Sequence, residues 1–195
     1  MRILRAGEYR TMPWKNGGGE TLEIAVFPQG AGLDDFHWRL SMARVDSDGS
    51  FSTFAEVDRT LALVEGKGLV LNVGVRAPIG LRDAYDPLPF PGDEATRCTL
   101  IDGPVTDINV MTRRGRATHV MQAVELVAGE TAQFSLGERL LFCASGQLSA
   151  DDGSYDLAIN RFDTLHLERA DGMMRVTALE PSVLMVTELF LSERA

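Results

Sequence analysis

The sequence predicts an all-β protein made of two tandem antiparallel barrels, on three observations. Nearly every apolar stretch of the 195 residues alternates with period two, the pattern of a half-buried strand. Gly, Pro, Asn and Asp recur between those stretches as turn signals. The two halves also echo one another. Thr60-Leu-Ala-Leu-Val-Glu-Gly66-Lys-Gly68-Leu-Val-Leu is matched by Arg139-Leu-Leu-Phe-Cys-Ala-Ser-Gly146-Gln-Leu148, each a strand, a glycine turn and a second strand.

An acidic step into the next strand follows in both halves, at Gly92-Asp93 and at Phe162-Asp163. Strand, short glycine turn, strand and acidic step is how a cupin-type jelly-roll barrel reads, and two copies make a bicupin. The barrels are expected over residues 1–117 and 118–195, joined near Gly115 to His119.

In chain order, Met1 to Arg10 alternates charged and apolar residues and holds no signal-peptide core. Trp14-Lys15-Asn16-Gly17-Gly18-Gly19-Glu20-Thr21 then runs into the strand-like Leu22 to Phe27. Three successive glycines cost chain entropy that a packed domain accepts where the backbone takes unusual dihedrals or another group approaches closely. Backbone N–H groups, the Lys15 ammonium and the Asn16 carboxamide around such a corner make a seat for an anion. The simpler reading is a tight turn with Trp14 closing the end of a barrel. A phosphate-cradling P-loop is excluded: its Gly-Lys-Ser/Thr ending opens a helix, whereas Lys15 precedes these glycines and a strand follows.

The strands expected next are Thr21–Phe27, Phe36–Val45, Thr60–Glu65, Leu69–Val75, Thr96–Leu100 and Thr106–Thr112. In the second half they are Met121–Leu126, Leu140–Ala144, Thr164–Leu167, Met174–Ala178 and Val183–Leu189. Helix is limited to one short turn at Phe51–Val57. The stretch Arg76 to Glu94 carries Pro78, Pro87, Pro89 and Pro91 and is expected to leave the sheet, because proline cannot donate to a strand ladder. Two readings stay open for it, a lid or rim over a site, or a crossover between the two sheets of one barrel.

Composition narrows the function. Apolar residues make up 45% of the chain, enough for a sizeable core. Lys plus Arg total 19 against 28 acids, a formal charge of −9, so the overall field repels nucleic acid and anionic membrane. No apolar run approaches the roughly 20 residues of a membrane helix, and the expected location is the cytoplasm. Cys98 and Cys143 sit in apolar strand-like segments as small buried hydrophobes, which suits a reducing compartment.

Strand parity then sorts the polar residues. Thr21 and Glu23 oppose Leu22, Ile24 and Val26; His37, Arg39 and Ser41 oppose Trp38, Leu40 and Met42; Asp107, Asn109 and Met111 oppose Ile108 and Val110. The polar faces either meet solvent, the default for antiparallel sheets, or line a cavity inside the first barrel. The residue types favour a cavity, because Thr, Glu, Arg, Ser, Asp and Asn make directional bonds. Arg39, helped by Arg59 and Lys15, is placed to hold a carboxylate, and Asp107 with Asn109 to read an amide, formyl or formimino group. Structural ion pairs are the competing account. His37, His119 and His166 are isolated and read as surface or rim residues, without the paired histidines of metal-binding barrels. No nucleophile elbow is present.

The chain resembles the HutD/Ves family of bacterial proteins over nearly its whole length. The resemblance is carried by Pro13-Trp14-Lys15-Asn16-Gly17-Gly18-Gly19-Glu20-Thr21, by Phe36-His37-Trp38-Arg39-Leu40-Ser41, and by Gly49-Ser50-Phe51-Ser52-Thr53-Phe54 with Arg59. Asp102-Gly103-Pro104 through Asp107-Ile108-Asn109-Val110-Met111-Thr112-Arg113 completes it. It implies a bicupin without a catalytic metal, and no cofactor is expected. It further implies a group linked to histidine utilisation, whose members are thought to sense an intermediate such as formylglutamate, formiminoglutamate or urocanate and to restrain the pathway. The Ves branch is associated with cold and stress instead.

The leading expectation is therefore a regulatory protein that binds a small carboxylate through Lys15, Asn16, Thr21, Glu23, Arg39, Ser41, Arg59, Asp107 and Asn109. The alternative is a metal-free isomerase or hydrolase of a small acid, with Glu23 or Asp107 as base beside Arg39. A purely structural or interaction role is the third reading. Exposed edge strands on each barrel point to a homodimer.

Overall fold

A computed structural model describes residues 1–14, 19–135, 137–153, 156–168 and 172–192. The first part of the chain forms β1 (Arg2–Leu4), a 3-10 turn at Ala6–Glu8, β2 (Arg10–Pro13), β3 (Gly19–Phe27), β4 (Trp38–Val45), β5 (Gly49–Ser50) and β6 (Val57–Glu65). Then come β7 (Leu69–Val73), β8 (Ile79–Leu81), β9 (Leu88–Pro91), β10 (Thr96–Leu100) and β11 (Val105–Arg113). The rest forms β12 (Ala117–Leu126), β13 (Thr131–Phe134), β14 (Glu138–Ser145), β15 (Leu148–Asp151), β16 (Asp156–Ile159), β17 (Thr164–Leu167), β18 (Met174–Ala178) and β19 (Ser182–Leu191). The protein is all-β, and among the described residues no helix is long and apolar enough to cross a membrane.

The chain divides into two compact units. One comprises Arg10–His119 with Leu191 and Ser192 at the other end of the described chain; the other comprises Met1–Tyr9 with Val120–Phe190. Residues 1–9, placed with the first barrel by the sequence reading, thus group with the second half. The reason is strand pairing: β1 lies antiparallel on β17, with Arg2 opposite His166 and Leu4 opposite Thr164.

The Arg10–His119 unit is two antiparallel sheets, β2-β3-β4-β11-β6-β9 and β5-β10-β7-β8. They share one apolar cluster, to which the first sheet gives Val45, Leu61, Leu63, Phe90 and Val105 and the second Leu69, Leu71, Val73, Leu81 and Cys98. The other unit is built likewise from β1-β17-β14-β19-β12 and β13-β18-β15-β16, with Leu141, Cys143, Leu165, Leu184 and Val186 packed on Leu148, Ala150, Ile159 and Val176. Both cysteines are buried and free.

The internal echo is a repeat of pairing order. Eight added to each label turns β4-β11-β6-β9 into β12-β19-β14-β17 and β5-β10-β7-β8 into β13-β18-β15-β16. Gly66 and Gly146 mark the same corner of each copy, where the chain leaves one sheet for the other. Both have positive φ (100° and 80°), and a Cβ there would lie 2.7 Å from the Pro104 carbonyl oxygen and 2.6 Å from that of Pro181, respectively.

Two expectations need correction. The proline-rich stretch does not leave the sheets: β8 forms an edge of the smaller sheet and β9 an edge of the larger. Pro89 and Pro91 sit opposite Thr60 and Asp58, and an edge strand tolerates their missing N–H groups. The stretch is thus the crossover between the two sheets of one unit. Phe51–Val57 forms no helical turn; 51–56 is loop and Val57 opens β6.

Candidate functional site

β11 is the frame of the site. Its sequence Val-Thr-Asp-Ile-Asn-Val-Met-Thr-Arg alternates through Asp107-Ile108-Asn109-Val110, and it is paired on both sides, by β4 and by β6. Residues directly opposite in a ladder share a face. Asp107 is flanked by Ala43 and Leu63, Asn109 by Ser41 and Leu61, Met111 by Arg39 and Arg59. β3 extends two of these rows, with Thr21 opposite Ala43 and Glu23 opposite Ser41. The polar faces singled out in the sequence are therefore one continuous inner face.

That face closes one side of a cavity of about 560 Å³, within the roughly 300–1,000 Å³ range of small-molecule sites. Thr21, Arg39, Ser41, Arg59, Asp107 and Asn109 line it, joined by Met12, Trp14, Leu33, Ala43, Met111 and the run Ser50, Phe51, Ser52, with Phe54. Glu23 acts from behind: its Oε2 accepts from Arg39 Nε at 2.8 Å. Lys15 and Asn16 lie outside the described residues, as do Gly17 and Gly18.

The glycine corner is held on either side of that gap. Trp14 N–H donates to the Gly19 carbonyl at 3.0 Å, and Trp14 Nε1 donates to Thr21 Oγ1 at 2.8 Å. Gly19 runs so close to β4 that a Cβ on it would collide with the Arg44 carbonyl oxygen, which excludes any larger residue there. A bulge between Glu23 and Ala25 shifts the strand by one residue, so that Val26 pairs with Arg39 and Ala25 with Leu40. Strict alternation had put Val26 on the opposite face.

Two guanidinium groups reach the cavity by different routes. Arg39, 4% exposed, is neutralised by Glu23 and bonds Ser41 Oγ through Nη1 at 3.3 Å. Arg59, 8% exposed, is stacked among Phe51, Phe54 and Phe90, whose ring centres lie 5.3, 5.8 and 5.0 Å from its Cζ. Its Nη1 donates to the Ser52 carbonyl at 3.3 Å. Burial pushes the Arg59 guanidinium down to about 10, the Asp107 carboxylate opposing and the Arg39 charge adding to the fall. It stays charged at neutral pH. Sequence reasoning missed its aromatic surround, and the alternation Ser50-Phe51-Ser52-Thr53-Phe54 was the available signal.

Asp107 is 1% exposed, and burial pushes its carboxyl up to about 7 against the pull of Arg59. Neither of its oxygens has a protein hydrogen-bond partner, and the same holds for Asn109 Oδ1, Arg39 Nη2 and Arg59 Nε. Each such buried orphan costs about 1–3 kcal/mol, so five in one cavity mark a place where something else supplies the partners.

The histidines are not surface or rim groups as a set. His119 is bridged by two hydroxyls, Thr60 Oγ1 at Nε2 and Thr112 Oγ1 at Nδ1, both at 2.8 Å. Burial lowers its imidazole to about 4, with Asp58 pulling the other way. His166 is buried and bonded to Glu138 at 2.7 Å. His37 is half-buried, edge-on to Phe27. Among the described residues, no three His, Cys, Asp or Glu side chains gather where a metal ion would sit.

Comparison with known proteins adds a lineage. The HutD family model matches residues 6–186. An uncharacterized 21.2 kDa protein of the hutC 3′ region in Pseudomonas putida is 34% identical over 89% of this chain and 90% of its own length. Protein Ves of Citrobacter koseri is 42% identical over 56% of this chain and 58% of its own. Among solved structures, a conserved protein of unknown function from Pseudomonas aeruginosa PAO1 superposes with a TM-score of 0.87 at 36% identity, covering 96% of this chain and 97% of that one. HutD from Pseudomonas fluorescens SBW25, in a formate condition, gives 0.80 at 31% identity, covering 98% and 99%.

Proposed function

Because the chain belongs to the HutD family, we propose that it is a ligand-binding regulatory protein whose cavity takes a small carboxylic acid of the formylglutamate, formiminoglutamate or urocanate type. One observation carries this reading: five buried polar atoms without protein partners belong to residues that line a single cavity. Arg39 Nη2 and Arg59 Nε are the donors for a carboxylate, and a charge-assisted bond is roughly twice as strong as a neutral one. The two guanidinium groups repel each other, and an anion bound beside both adds attractions that offset that repulsion. The Pseudomonas fluorescens HutD structure comes from a formate condition, and formate is the smallest carboxylate. The relative in the hutC 3′ region supports a place in histidine utilisation.

Calorimetric titration with the three acids tests the reading. At least one is expected to release or absorb heat and to stabilise the fold by about 2.7 kcal/mol at a hundredfold excess over Kd. Arg39→Ala is expected to weaken that acid at least thirtyfold (about 2 kcal/mol). Absence of both heat and thermal shift with all three at millimolar concentration overturns it.

A second reading is favoured by Asp107, a buried carboxyl whose pKa of about 7 suits a general base at neutral pH. On that reading the protein is a metal-free isomerase or hydrolase of the same acids. Product detected by mass spectrometry and abolished by Asp107→Asn decides for it.

A further inference from the structure

We propose that the acid held in this cavity carries N–H donors at the end away from its carboxylate, and that Asp107 with Asn109 selects it from acids of equal length and charge whose far end only accepts. The inference rests on the carboxylate reading above and specifies the other half of the ligand.

The orphaned atoms are of two kinds: two donors, Arg39 Nη2 and Arg59 Nε, and three acceptors, Asp107 Oδ1 and Oδ2 and Asn109 Oδ1. A ligand made of carboxylates alone would satisfy the donors. It would leave three acceptors bare and set like charge against Asp107. A ligand that both accepts and donates closes the balance.

The ladder gives the two functions an order. Arg39 and Arg59 enter from the Met111 row, Asn109 lies one same-face position along β11, and Asp107 one further. Successive same-face positions of a strand are about 7 Å apart. An acid lying along β11 with its carboxylate toward the arginines therefore turns its far end to Asn109 and Asp107. Arg39 is engaged by Glu23 and Ser41, and neither Asp107 oxygen nor Asn109 Oδ1 receives a hydrogen bond from the protein.

Two probes isolate the donor. Glutaramate, the monoamide of glutarate, and monomethyl glutarate are monoanions of one backbone; the amide end presents two N–H groups, the ester end none. At about pH 8, where Asp107 is an anionic acceptor, calorimetry of the full chain is expected to show glutaramate at least tenfold tighter. Asp107→Asn, which exchanges one acceptor oxygen for an N–H2, is expected to bring the ratio below threefold or invert it.

Wild-type protein supplies a second measurement should that variant fail to fold. Towards about pH 5.5 Asp107 takes up a proton and becomes a donor, so the ratio is expected to shrink. The charged or titratable groups that interact with Asp107 are Arg59, which stays cationic throughout, and Cys98 from β10, whose thiol burial pushes up to about 12, far above this interval.

Equal affinity of wild type for the two probes overturns the proposal while carboxylate binding stands. So does a preference that survives both acid and Asp107→Asn, or binding of the larger acids with neither probe. No heat from any acid, probes included, overturns this proposal and the reading beneath it together.

Discussion

Asp107→Asn has a consequence for stability that can be worked out before any ligand is added. A buried aspartate whose carboxyl titrates at about 7 rather than 3.8 binds a proton more readily in the folded than in the unfolded chain. Folded protein therefore holds more protons through the interval from 3.8 to about 7, and stability falls as pH rises through it. The whole interval corresponds to roughly 4 kcal/mol at 1.36 kcal/mol per unit. Integrated from about pH 5 to about pH 8, the wild type is expected to lose about 2.5 kcal/mol relative to Asp107→Asn.

His119 makes the comparison with the variant necessary. Its imidazole falls from 6.5 to about 4 on folding, so this group removes stability as pH falls through nearly the same interval. The two slopes oppose one another, and the wild-type profile alone is nearly flat there. Subtracting the Asp107→Asn curve cancels His119 and leaves Asp107. The substitution also introduces an unmatched amide, worth about 1–3 kcal/mol, but that offset does not vary with pH. Urea unfolding of both proteins without ligand, at the two pH values, gives the difference directly. A gap between the curves that is constant within about 0.5 kcal/mol would refute the picture of a buried, unpaired Asp107.

Two further outcomes are expected. His119→Gln keeps a donor and an acceptor near Thr60 and Thr112 but cannot take up a proton, so below about pH 6 it is expected to resist acid better than wild type, by up to roughly 3 kcal/mol in urea titrations. Arg113 ties two rim segments, donating to the carbonyls of Phe36 at 3.1 Å and Ala55 at 3.2 Å while stacking on Phe36; Arg113→Ala is expected to speed ligand dissociation about tenfold with little change in association, as read by stopped-flow.

What was legible in the sequence followed from a period of two. β10, β17 and β18 run over the same residues as their expected strands, and β11 extends its own by one residue at each end, because alternation and turn residues fix a strand wherever one face is apolar. β11 also declared its inner face, since Asp107 and Asn109 are an expensive choice for a strand paired on both sides. What escaped was whatever depends on neighbours in space. The two-residue β5 and the proline-bearing β9 carry no periodic signal and exist because a longer strand offers its edge. The bulge that turns Val26 towards Arg39 is a property of the β3–β4 ladder. The aromatic stack on Arg59 joins residues from the 51–54 loop and β9; the loop's spaced phenylalanines hinted at its first two rings, but nothing local announced Phe90.

The cavity is an unfavourable feature for the empty fold, and that is its significance. Replacing Asp107 and Asn109 with hydrocarbon of equal volume would extend the apolar rows already begun by Leu61 and Leu63 on the same face, and would stabilise the sheet. The chain instead carries an unpaired carboxyl, two partly unpaired guanidinium groups and an amide with an unpaired carbonyl oxygen side by side. Sequences that fold well keep such conflicts between local chemistry and packing for the places where they act on something else. In this unit the conflict is confined to one end of one inner face, with Arg59 held rigid by three rings and Arg39 by Glu23, the preorganisation a binding site needs and a packing surface does not.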